Sequence, residues 1–286
     1  MTEFLTAEIA PTETALPEEG VKITLPSGLQ LFYFDSSHSY WKVNPNGTRG
    51  RRLTGVTTVT KTLDYDPSRL LTWAARTQCI GVAELARCAP DRLEWLWSEE
   101  SIWEALSRHD LTFEHVRDRA AKRGTNVHRV VFEALARGTQ LPDLDPLTDE
   151  ERLAAEGVIK FWQEEKPAAT LIEQVVYSER LGVAGRLDFY GTIKSRNGIG
   201  VIDLKTGGFL SAAAHCQVGG GYPLLVEESG WDPPEWAAML QVKDGGYELV
   251  EAEASPECFE AAVQAYRVAG RINSAANRAR KARAAA

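Results

Sequence analysis

Three residues in the segment GRLDFYGTIKSRNGIGVIDLKTGG carry side chains suited to phosphodiester hydrolysis: Asp188, Asp203 and Lys205. Side chains alternate along a strand, so Asp203 and Lys205 point to one face and set a carboxylate beside an ammonium. Two carboxylates can hold a hard divalent cation through oxygen, and the cation can stabilise charge growing on a phosphate. The lysine can orient the attacking water or help to deprotonate it. Taken alone, a D-x-K on a strand is more often a solvated strand face than a catalytic centre.

Whether the two aspartates meet depends on how their strands pair. A two-residue turn at Asn197-Gly198 sets Arg196 against Ile199 and Asp188 against Gly207, roughly 13 Å along the strand from Asp203 at about 3.3 Å per residue. A four-residue loop over 194–197 instead pairs Ile193 with Gly198 and Asp188 with Asp203, their Cβ atoms about 5 Å apart. A shared cation requires the longer loop or an equivalent bulge, whereas local turn chemistry favours the tight turn.

The elements that must position these residues follow from pattern. Residues 1–20 carry five acids and no base and lack apolar periodicity, so they are expected to form a disordered acidic tail. From 21 to 62, the β-rich pieces VKITL, LQLFYF, YWKV and VTTVT are separated by turn residues and predict an antiparallel meander. Asp66-Pro67-Ser68 opens a mainly helical section that runs to about Gly138. Within it Thr125 is placed to cap a helix carrying Val127, Val130, Val131, Ala134 and Leu135, with His128 beside that stripe. A helix over 148–163 precedes strands on both sides of Arg196-Asn197-Gly198. Residues 211–228 predict a helix weakened by Gly219, Gly220 and Gly221. A hairpin then turns at Asp244-Gly245-Gly246, and Ser255-Pro256-Glu257 starts a last helix. The expected division is 1–20 tail, 21–115 β-meander and helices, 116–254 core, and 255–286 helix and basic tail.

Composition narrows the class further. The 286 residues are 44% hydrophobic, ordinary for a globular fold, and no run approaches the roughly 20 apolar residues of a membrane span. Without a secretory pattern at its start, the chain reads as soluble and intracellular. Cys79, Cys88, Cys216 and Cys258 stand too far apart for a metal knuckle and are expected to be reduced, packed thiols. The net charge of −8 gives no global attraction to nucleic acid, but bases concentrate at 117–137 and, six with no acid, at 267–286. A phosphate-binding GxxxxGK[ST] loop, a GxSxG elbow and an HExxH zinc helix are all missing, and the GxG at Gly198 lacks the context of a dinucleotide site.

Across roughly 119–251 the chain resembles the PD-(D/E)xK nuclease superfamily, in particular the RecB-like branch and the phage exonucleases related to CRISPR-associated adaptation nucleases. The resemblance rests on RGTNVH ending at His128, on GRLD, on IDLKTG and on a following Gln217. It implies an α/β, restriction-endonuclease-like core with a central mixed sheet flanked by helices. It implies that His128, Asp188, Asp203 and the backbone carbonyl of Leu204 bind Mg²⁺ or Mn²⁺, that Lys205 is the catalytic lysine and that Gln217 supports the site. The family follows this glutamine with a tyrosine four residues later. Here Gly221 takes that place and Tyr222 comes one later. Only Cys216 and Cys258 follow the lysine, which does not match the cysteine set of the iron-sulfur members.

The activity implied is a metal-dependent DNA exonuclease of phage or bacterial recombination and repair, in the cytoplasm of a bacterium or phage-infected host. DNA is the implied partner, alongside a single-strand annealing protein or recombinase, with room for a homo-oligomer and none for a membrane. Its rivals are a structure-specific endonuclease using the same centre and an inactive DNA-binding module on a nuclease fold. Other residues weigh less. Glu173 and Glu179 can assist a second metal or touch substrate, but read first as exposed strand residues. Arg117, Arg119, Lys122 and Arg123 can line a phosphate track, although a basic helical run is usually a solvated face. Thr206 can donate to a phosphate or simply bond at a strand end. Most of the eight tryptophans, Trp73, Trp95, Trp97, Trp103 and Trp162 among them, are expected in the core rather than as base-stacking platforms. His38, His109, His115 and His215 read as structural or surface residues.

Overall fold

Near-continuous buried runs in strands of the middle of the chain build a sheet with both faces covered. The computed structural model describes residues 20–64, 68–88, 98–136, 138, 143–207 and 209–285. The expected tail, the Asp66-Pro67 helix opening, Trp95 and Trp97 lie outside them.

The N-terminal strands β1 (Val21–Thr24), β2 (Gln30–Phe34), β3 (Ser39–Val43) and β4 (Arg49–Arg52) form an antiparallel sheet in chain order. The expected strand VTTVT is instead the short helix α1 (Val56–Thr60), preceded by β5 (Thr54–Gly55). Val56 and Val59 bury themselves in the central core, and tertiary packing outweighs their β-branched preference. Helices α2 (Ser68–Cys88), α3 (Glu99–Arg108) and α4 (Phe113–Val127) follow. Thr112 caps α4 by accepting from the His115 amide, while Thr125 sits inside the helix and bonds the Ala121 carbonyl, so the expected cap is displaced. A π-helical turn, His128–Phe132, and α5 (Glu133–Ala136) continue it.

Thr148 and Glu151 form a capping box at the head of α6 (Asp149–Glu165). The central sheet then unfolds through β6 (Ala168–Ser178), β7 (Val183–Thr192) and β8 (Gly200–Lys205). Next come α7 (Ala212–His215), a second π-helical turn over Cys216–Gly221, and α8 (Tyr222–Glu228). A hairpin of β9 (Trp236–Lys243) and β10 (Gly246–Glu251) precedes α9 (Pro256–Ala285). Its two-residue turn has positive φ at Asp244 and Gly245, which suits the twist of the flanking strands.

The fold is α/β, with a six-stranded mixed sheet flanked by helices. Its order is β10-β9-β8-β7-β5, and β6 pairs with β7. The β8–β9 and β5–β7 pairs are parallel and the others antiparallel. One face of the sheet packs Val201, Met239 and Leu187 against Val56, Leu225 and Phe259 of α1, α8 and α9. The other packs Ile202, Leu204 and Leu240 against Phe132, Val158 and Phe161. The N-terminal sheet lies on β6 and β7 through Leu31, Tyr33, Tyr40, Val175 and Tyr177.

Among the described residues no helix is long and apolar enough to cross a membrane. Cys216 is buried and Cys258 partly so, whereas Cys79 and Cys88 are exposed, so only the second pair meets the expectation of packed thiols. Trp73 and Trp103 are likewise exposed rather than in the core.

Close approach of α6 to the β9–β10 hairpin depends on Gly157, where a Cβ would lie 2.4 Å from the Gly246 carbonyl oxygen. Backbone cannot yield there as a flexible side chain would. Gly157→Ala is expected to lower stability by about 1–3 kcal/mol in urea denaturation, despite its better helix propensity. An unchanged or raised midpoint would show that this packing is not tight.

Candidate metal centre

The centre is built where strand β7 loses a neighbour. Strand β6 covers one edge of β7 from Val183 to Thr192. On the other edge β5 reaches only Ala184, and the ladder to β8 runs from Phe189 to Gly191. Residues 185–188 thus lie in a fork between two strands that leave β7 in different directions. A cavity of about 380 Å³ opens beside the fork, lined by Arg186, Asp188, Glu173, Tyr40, Thr57, Thr58 and Tyr222 among others. A divergence of strands is where open α/β sheets characteristically leave a crevice.

Phe189 pairs with Ile202 and Gly191 with Gly200, a register that sets Asp188 against Asp203. This is the longer-loop register. Tertiary pairing of β8 with β9 over Gly200–Lys205 fixes that strand and overrides the local preference for a tight turn at Asn197-Gly198. At the fork the Asp188 carboxylate replaces a ladder partner: the Leu204 amide donates to its Oδ2 at 2.7 Å. Asp203 is only 3% exposed. Lys205 Nζ lies 2.5 Å from Asp203 Oδ2, and that oxygen has no aligned hydrogen bond among the described residues.

His128 enters from the first π turn. Its Nε2 lies 3.0 Å from Asp188 Oδ2 and its Nδ1 lies 3.0 Å from Glu173 Oε1. Glu173, opposite Asp188 in the β6–β7 register, is therefore not the exposed strand residue the pattern suggests. Its backbone is left-handed, φ +49°, a conformation costing a non-glycine residue about 1–3 kcal/mol. Arg186 Nε holds the other Glu173 oxygen at 2.8 Å, and Arg186 Nη1 reaches Asp35 Oδ1 of the N-terminal sheet at 3.0 Å. Ligand atoms of His128, Glu173 and Asp188 all lie within 4.8 Å of one another.

The second π turn brings Gln217 and Tyr222 together. In an α-helix, positions four apart share a face. A π turn inserts one residue, so positions five apart take that relation. Gln217 and Tyr222 accordingly meet: Gln217 Nε2 donates to Tyr222 Oη at 2.8 Å, and that hydroxyl donates to the Arg186 carbonyl at 2.9 Å. Gly219, Gly220 and Gly221 permit this turn to lie against α9, since Cβ atoms there would strike backbone at Ala254 and Ser255 and the ring of Phe259.

Electrostatics follow from burial and neighbours. Burial and the facing Asp203 push the Asp188 carboxyl up to about 6. Burial opposes charge on His128, but Asp188 and Glu173 outweigh it and hold the imidazole well above its usual range. Lys205 is likewise raised, because Asp203 outweighs the cost of burying its ammonium. The arrangement is a largely buried acidic cluster faced by imidazolium, guanidinium and ammonium groups.

Of the residues singled out from sequence, Asp188 and Asp203 face each other in the register, His128 contacts Asp188, and Leu204 and Lys205 flank Asp203. Gln217 bonds Tyr222, and no bond to Lys205 occurs among the described residues. Glu179 is exposed and paired with Lys42. Arg123 pairs with Glu150 and, with Thr206, lines a separate cavity of about 310 Å³. Glu173, which the pattern offers as a metal or substrate residue but ranks first as an exposed strand position, is the residue the sequence underweights, although register arithmetic could have raised it. A four-residue connection ending at Gly182 pairs Ser178 with Val183 and carries Glu173 to Asp188. Compared with known proteins, the chain matches no family model and no curated protein.

These donors fit a hard divalent ion: the carboxylates of Glu173 and Asp188 and the imidazole of His128 gather within reach of one ion, while Asp203, outside that group, offers a buried carboxylate oxygen lacking an aligned donor among the described residues. To serve as a ligand, His128 must lose its proton, and a cation favours Asp188 ionised. Mn²⁺ binding is therefore expected to release protons and to strengthen as pH rises through about 6 and above, measured by calorimetry in buffers of different ionisation enthalpy. Affinity independent of pH would reject this ligand set. Glu173→Gln should weaken Mn²⁺ binding by about 10-fold or more in the same titration.

Proposed function

We propose that this chain is a Mg²⁺- or Mn²⁺-dependent deoxyribonuclease, an exonuclease acting on DNA, with a restriction-endonuclease-like core. The reading is carried by one observation: one residue past the end of the β7–β8 ladder the register sets Asp188 toward Asp203, with His128 Nε2 3.0 Å from the first carboxylate and Lys205 Nζ 2.5 Å from the second. Few structural roles require two buried carboxylates in register. Hydrolysis of a phosphodiester could use both, because a divalent ion held there would supply charge neutralisation at the phosphate and a more acidic water.

The roles of the chain's own groups follow. His128, Glu173 and Asp188, whose ligand atoms lie together, would hold the ion; Asp203 and the carbonyl of Leu204, whose amide is already tied to Asp188, are the further proposed ligands. Lys205 is kept protonated by Asp203. It therefore serves as a donor that orients water or a phosphate oxygen, rather than as the base that deprotonates water. Tyr222 braces the fork by donating to the Arg186 carbonyl, and Gln217 holds that hydroxyl in place by donating to it. The cavity beside Asp188 offers hydroxyls of Thr57 and Thr58 and room on the scale of one nucleotide. A single-strand annealing protein or recombinase is the proposed companion.

Lys205→Ala should reduce Mg²⁺-dependent cleavage of linear duplex DNA by about 100-fold or more while duplex binding changes little. Undiminished cleavage by this variant would reject the mechanism. Closed circular DNA should survive where linear DNA is degraded; cutting of the circle would replace the exonuclease with an endonuclease on the same centre. Binding by the wild-type chain without any metal-dependent cleavage would leave a DNA-binding module.

A further inference from the structure

Helix α9 begins in the core and ends outside it. Phe259, Ala262 and Val263 are buried, and Arg267 Nη2 ties the exit point by donating to the Leu181 carbonyl at 2.6 Å. Beyond that bond every residue from 268 to 283 is exposed, Ile272 to 63%. A Cβ added at Gly270 would meet nothing within 4 Å. Residues 267–286 carry six bases and no acid, so the rest of the chain, at −8 less +6, has a net charge of −14. Among the described residues, Arg271, Arg278, Arg280, Lys281 and Arg283 have no acidic partner.

Four of the six bases share one face, while Arg280 and Arg283 lie on the opposite side. At 100° per residue, Arg267, Arg271, Arg278 and Lys281 fall within an arc of about 80°, a stripe about 21 Å long at 1.5 Å per residue. Alanine dominates the adjoining face, and Ala and Arg are strong helix formers that sustain α9 without neighbours. We propose that this stripe is a docking surface for the phosphate backbone of duplex DNA.

Charge complementarity argues for that occupant. About 21 Å of helix matches roughly six base pairs, and each cation placed on a phosphate releases counterions. Val268 and Ile272 are the only large apolar residues on the exposed length, too little apolar area to hold the helix in a lipid interface. A second copy would set six positive charges against six. The choice of DNA over another polyanion rests on the nuclease reading; the stripe itself does not.

The test uses the full chain in EDTA with a labelled duplex of about 30 base pairs, so no cleavage enters the measurement. The variant is Arg271→Gln/Arg278→Gln/Lys281→Gln. It should bind about 10-fold more weakly at low salt, and its plot of log affinity against log salt should be shallower by about 2–3, near 0.9 per lost phosphate contact. Its thermal midpoint should equal that of the wild type, since the replaced side chains are exposed and make no ion pair among the described residues. An unchanged salt slope overturns the proposal. So does loss of binding to phosphatidylserine vesicles with duplex binding intact. Because this titration lacks metal, it is independent of the Lys205→Ala cleavage assay, and either can fail alone.

Discussion

Two carboxylates facing each other across a buried strand pair repel, and the surroundings of Asp188 and Asp203 are organised to offset that repulsion. Asp188 receives an amide proton from Leu204 and an imidazole nitrogen from His128. Asp203 receives the Lys205 ammonium. Burial strengthens each attraction as well as the repulsion, because few water dipoles screen the charges. Removing one positive partner would leave an uncompensated buried acid, the costly outcome for such clusters.

That arrangement asks the backbone to depart from regular geometry at several points, and the departures gather around the centre. Strand β7 changes neighbours at 185–188, Glu173 takes a left-handed conformation within β6, and π turns carry His128 and Gln217. Each irregularity aims a polar group that regular geometry would turn elsewhere. Such strain persists only where surrounding packing holds it, and here large apolar clusters lie on both faces of the sheet.

The N-terminal sheet is part of this support. Tyr33 donates to Asp35, Asp35 pairs with Arg186, Arg186 holds Glu173, and Glu173 holds His128. A chain of charges thus runs from the meander to the acidic pair. Strand β5 and helix α1, from the same N-terminal region, complete the central sheet and one wall of the cavity.

Much of this was legible in the residues themselves. Alternation marked the strands, Thr148 and Glu151 marked the head of α6, Asp244-Gly245 marked a hairpin, and D-x-K marked one face of β8, because each depends on contacts a few residues apart. Local pattern failed where distant contacts decided. VTTVT became a helix because its valines complete a core formed by α8 and α9, and Thr125 yielded its capping role to Thr112 in a longer helix. Glu173 looked like a surface residue until the β6–β7 register placed it beside Asp188. The pairing of Gln217 with Tyr222, five residues on, could not be read without the π turn that brings them together. Residue types set which chemistry was available; only the pairing of β7 with three different strands decided which acids would share a site, since register is a property of the whole sheet.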